Sequence, residues 1–139
     1  MKKGLTIILV IVSLWATAAQ AALPKGDVFK GKLFAPDIIL EHRSELGLTK
    51  QQFTDIRAVV VEVQTGIAEH EWDMREAYQE VMAELDRTPI NEADILQYAM
   101  AAMLAENKVK AKQLSMLVRL KNLLTAEQIM YLETVVGKQ

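Results

Sequence analysis

Cysteine is absent from this 139-residue chain. That removes disulfides, thiolate metal ligands and thiol redox chemistry together, and leaves packing as the source of stability. Histidine occurs twice, as His42 and His70. No glycine-rich loop is present, and no nucleophile stands with a base and a third orienting group, so no catalytic set can be assembled and the chain is not expected to be an enzyme. A basic excess is missing too: 16 Lys and Arg face 18 Asp and Glu. Nothing in that balance favours nucleic acid, whose binding is driven by counterion release to clustered cations.

What is present begins with an export signal. Lys2 and Lys3 precede an apolar run from Leu5 to Ala18, and Ala19-Gln20-Ala21 has the small-x-small form of a cleavage site, so residues 1–21 read as a signal peptide. The competing reading is an uncleaved inner-membrane anchor, because ~20 apolar residues suffice to cross a bilayer. Cleavage would leave 118 residues with a net charge of −4, the size of one domain with one core. Residues 22–35, with Pro24, Gly26, Gly31 and three lysines, read as a flexible arm. An all-α domain is expected over residues 36–139.

The most informative pattern is Leu-Thr-x-x-Gln, which occurs as Leu48-Thr49-Lys50-Gln51-Gln52 and again as Leu124-Thr125-Ala126-Glu127-Gln128. Each copy reads as a helix start. The Thr hydroxyl accepts from the N3 amide, the N3 Gln reaches back to the N-cap amide, and the preceding Leu meets Phe53 or Ile129 as a hydrophobic staple. Pro36 suits the first turn of a short helix that Gly47 closes. Two long helices are predicted, over 49–86 and from Asn91 to 123, separated by Arg87-Thr88-Pro89. The second box then starts a closing helix that Gly137 ends.

Spacings of three and four place Phe53, Ile56, Val60, Val63, Ile67, His70, Met74, Ala77 and Val81 on one seam, and Ile95, Ala99, Ala102, Glu106, Val109, Gln113, Met116, Leu120 and Leu123 on the other. In an antiparallel hairpin these pair so that facing residue numbers add to 176. His70 then faces Glu106, which suggests a polar layer in an apolar seam. Val59, Leu96, Met100, Met103, Leu114, Leu117 and Val118 lie beside the seam and call for a partner surface, most economically a second subunit. Trp72 lies about 200° from Met74, so it points away from the seam with Val61 and Ala68. Val61, Ala68, Trp72, Met100, Met103 and Leu114 are therefore the candidate surface for a client or a second subunit, the methionines suiting an adaptable contact.

The doubled box, behind a secretion signal and in a helical chain, resembles the Spy/CpxP group of periplasmic LTxxQ stress proteins and the related heavy-metal sensor and resistance proteins. The resemblance extends from about Phe34 to Val136, through Pro36-Asp37-Ile38-Ile39-Leu40-Glu41-His42 and Leu117-Val118-Arg119-Leu120-Lys121-Asn122-Leu123-Leu124-Thr125. It implies a curved antiparallel homodimer of helical hairpins, in the periplasm, that holds unfolded or stress-damaged envelope proteins without ATP or cofactor. Its alternatives are a divalent transition-metal sensor and an inhibitor docking on the periplasmic domain of a sensor kinase. Metal-sensing relatives use several histidines with a carboxylate and a methionine. Here Leu46 stands four residues after His42, and no histidine follows His70. His42 and His70 are thus weak ligand candidates, and no metal site is expected. Their ordinary roles are a residue near a helix C-terminus, suited to the macrodipole, and a seam residue.

Overall fold

A computed structural model describes residues 29–137. Within them the chain is all helical: α1 (Pro36–Glu41), α2 (Lys50–Leu85), α3 (Glu92–Asn122) and α4 (Ala126–Val136). The two long helices pack along each other as an antiparallel hairpin, and the short ones flank its open end. Residues 1–21, expected to be a signal peptide, lie outside the described residues. No helix among them is long and apolar enough to cross a membrane.

Every long-helix boundary has a local cause. Thr49 caps α2 and Asn91 caps α3, the latter accepting from Ala93 N at 3.0 Å and from Asp94 N at 3.4 Å. The turn between them is fastened by Glu84, which is buried; it accepts from Asn91 N at 3.1 Å and pairs with Arg87 at 3.0 Å. The first helix stops at Glu41, earlier than Gly47 suggests. Gly47 nevertheless closes a helical turn over Arg43–Leu46. It has φ 58°, its N–H donates to Ser44 O, and Leu48 N–H donates to Arg43 O. This is a Schellman closure, which needs a residue at positive φ. Gly137 caps α4 in a right-handed conformation instead.

The predicted register holds. Gln52 reaches Leu123 O, Asn91 reaches Glu84, and Gly66 faces the Lys112 side chain across the hairpin. Facing numbers in these pairs add to between 175 and 178, within a turn of 176. Ile56, Val63, Ala102, Val109 and Leu120 are buried as the seams require. Phe53 departs from its seam: it is 38% exposed and lines a shallow cavity with Leu48.

The core is concentrated at the open end. Phe34, Ile39, Leu46, Ile56, Val59, Val63, Leu120, Leu124, Leu132 and Val136 form one buried cluster. Two expectations are corrected here. Val59 and Leu117 are buried within the chain and need no second subunit; Val59 is buried in the cluster that holds Ile39, Leu46, Leu132 and Val136 from the short elements and their loop. Phe34, expected in a flexible arm, is 1% exposed; Lys121 crosses its ring at 5.8 Å and donates to Lys32 O at 2.6 Å, which ties this end of the arm to α3.

Candidate functional site

The two Leu-Thr-x-x-Gln boxes meet. In each, the Thr hydroxyl accepts from the N3 amide and the Gln Oε1 accepts from the Thr amide, at 2.9–3.2 Å. The glutamines then bind each other, Gln52 Nε2 donating to Gln128 Oε1 at 2.8 Å and Gln128 Nε2 to Gln52 Oε1 at 3.2 Å. Their second amide protons go to Leu123 O at 2.9 Å and Leu46 O at 3.0 Å. Each side-chain oxygen accepts twice and each nitrogen donates twice.

That arrangement explains the residue type. A single capping box accepts Glu as readily as Gln. A clasp between two boxes does not, since a carboxylate has no proton to donate and two would repel. The clasp thus joins the start of α2, the end of α3, the start of α4 and the loop after α1. It forms one wall of an open cleft of about 720 Å³, lined also by Glu45, Gly47, Glu127 and Tyr131. Sequence reading found both boxes and missed their contact; glutamine at both N3 positions was the available signal.

The histidines do not come together. His42 caps α1, half-buried, with its ring edge-on to Tyr131 at 5.9 Å between centroids. His70 is half-buried in the seam, but the polar layer with Glu106 does not form. Glu106 pairs along its own helix with Lys110 at 2.8 Å, while His70 Nδ1 has no hydrogen-bond partner and only Asp73 near it, at 3.7 Å. One turn of α3 offers Glu106 a half-exposed lysine at less cost in desolvation than a pair inside the seam, which decides the competition. Among the described residues no three His, Asp or Glu stand close enough to hold a metal.

The candidate surface is largely open. Trp72 is 66% exposed, with Arg75 stacked 5.6 Å from its ring, and Val61, Ala68, Met100 and Met103 are exposed as well. Leu114 is half-buried against its neighbours. On the hairpin's other flank, Arg119 grips Glu62 through two hydrogen bonds at 3.0 and 2.7 Å. These bonds and the guanidinium charge lower the Glu62 carboxyl below its ordinary range, and the carboxylate raises Arg119. Since α2 and α3 meet there through Glu62–Arg119 and Gly66–Lys112, 100° per residue puts Tyr78 and Met82 of α2 with Leu96, Met100 and Met103 of α3 on the opposite flank. All five but the last are also near the hairpin turn by the register, and Met103 lies one turn further in.

Comparison with protein-family models, curated proteins and solved structures finds no match to this chain.

Proposed function

We propose that this protein is an exported, ATP-independent holdase of the Spy/CpxP type, acting in the periplasm on unfolded or stress-damaged envelope proteins. The observation that carries the reading is the exposed apolar flank. Leu96, Met100 and Met103 with Tyr78 and Met82 are left out of the chain's own core, on helices whose burial is concentrated elsewhere. Apolar side chains left exposed side by side on one flank favour an interaction site, and flexible methionines adapt to partners of varied shape. The doubled capping box and the export signal support the same reading through the family they resemble.

The test is suppression of aggregation. A chemically unfolded client diluted from denaturant should stay soluble at about one equivalent of this protein, without nucleotide and equally in the presence of a chelator. Aggregation that proceeds unchanged overturns the proposal. Activity that needs a transition metal would replace it with the metal-responsive alternative.

A further inference from the structure

Sulfur in this chain is carried by methionine alone, since cysteine is absent and six methionines lie among the described residues. Their placement divides them. Met74 and Met116 are half-buried in the two seams, whereas Met82, Met100, Met103 and Met130 are 62%, 64%, 50% and 59% exposed. Met82, Met100 and Met103 share one flank of the hairpin's turn half with Tyr78 and Leu96, so much of that apolar surface is thioether. Met130 stands apart, on α4 at the open end. A thioether is open to two-electron oxidants such as hydrogen peroxide: a sulfur lone pair attacks one peroxide oxygen, the O–O bond breaks, and sulfoxide and water are formed. Sulfur gives up two electrons and the peroxide takes them. With no thiolate in the chain to react first, exposure decides which sulfur is oxidised.

We propose that Met82, Met100 and Met103 form an oxidation switch: two-electron oxidants convert the apolar flank to sulfoxides, and the flank then lets go of what it holds. The inference rests on the holding activity proposed above and adds its regulation. A sulfoxide is polar and chiral where the thioether was apolar and flexible, and its S=O accepts hydrogen bonds that water supplies and an apolar client does not. Burying it beneath a client therefore costs free energy. The fold is spared, because these three side chains lie outside the buried cluster that holds the open end together. The change is also reversible: a methionine sulfoxide reductase returns the thioether, the oxygen leaving as water while the enzyme's dithiol becomes a disulfide.

The intact exported protein is treated with hydrogen peroxide, quenched with catalase, and followed by peptide-mapping mass spectrometry, circular dichroism and suppression of client aggregation. Met82, Met100 and Met103 should oxidise at least about fivefold faster than Met74 and Met116, with the helical signal intact. Suppression should fall several-fold as they do, and return after incubation with the two epimer-specific methionine sulfoxide reductases and dithiothreitol. Two variants separate a switch from general damage. Met82→Leu with Met100→Leu and Met103→Leu keeps the flank apolar and should suppress aggregation with or without peroxide, whereas Met130→Leu should remain as sensitive as the parent. A triple variant that peroxide still inactivates overturns the inference. So does slow oxidation of the flank sulfurs beside fast oxidation of Met130, which would mean that the flank is covered. Untreated protein that suppresses aggregation and stays fully active once its three flank sulfurs are oxidised sinks the inference alone; untreated protein that suppresses no client sinks the holding activity, and the inference with it.

Discussion

At the scale of single residues, the clasp makes demands that capping alone does not. Thr49→Ala and Thr125→Ala each remove one cap acceptor and should cost about 0.5–2 kcal/mol in denaturant unfolding. Gln128→Glu preserves the capping acceptor yet removes the donor to Leu46 O and Gln52 Oε1, both in a largely buried setting. It should cost about 1–3 kcal/mol at neutral pH, with part recovered as the new carboxyl is protonated in acid. A variant as stable as the parent would show that the glutamine pair contributes nothing beyond two separate caps. The opposite sign is expected at His70. Its Nδ1 is buried without a hydrogen bond, and Glu106 is satisfied by Lys110, so His70→Leu should be neutral or stabilising, recovering part of the ~1–3 kcal/mol that an unmet polar group costs. Marked destabilisation on thermal melting would restore a His70–Glu106 coupling.

At the scale of elements, α2 and α3 approach closely where side chains are small. Ala102 and Ala105 are buried in the seam. Ala102→Leu should therefore overpack the seam, costing about 1–3 kcal/mol, while the same change at exposed Ala101 should stay within about 0.5 kcal/mol. Comparing the two melts separates packing from helix propensity. The Glu62–Arg119 pair latches one flank. Because the folded Glu62 pKa is lowered, any stability it contributes is present above the unfolded value and is lost as pH falls through the folded one. Carboxyl titration by NMR should find Glu62 below the ordinary range, returning toward it in Arg119→Met. Both groups are well exposed, so the melting temperature should hardly change.

At the scale of the whole molecule, stability is concentrated at one end. The open end carries the buried cluster from Phe34 to Val136; among the described residues, the turn half buries only Ala102, Ala105 and the Glu84 fastening. Amide exchange should accordingly be slowest over about 54–66 and 113–124 and faster over about 70–100, since few buried apolar contacts resist opening there. Uniform protection along both long helices would mean that the turn half is covered, as by a second copy. Ile56→Ala or Leu120→Ala, each removing a fully buried side chain of the cluster, should cost about 2–5 kcal/mol. The half proposed to receive clients is thus the half with least stability of its own, so adapting its surface disturbs little of the core.

The sequence alone determined the helices, their caps and the register. Threonine, asparagine, proline and glycine act on the backbone within a few residues of themselves, and the short turn between Leu85 and Glu92 limits how far two seams of fixed period can slide. It also placed Trp72, Val61 and Ala68 outside, because a helix's faces follow from counting. Contacts between elements distant in the chain were decided by the tertiary structure. The clasp of Gln52 with Gln128 spans 76 positions, and the burial of Val59 depends on where the short elements settle. Phe34 and Glu106 show the same limit from opposite sides. An arm rich in glycine and lysine can deliver one aromatic ring to a core, and a carboxylate facing histidine turns instead to the lysine one turn away, because each choice compares alternatives that only the folded chain brings within reach.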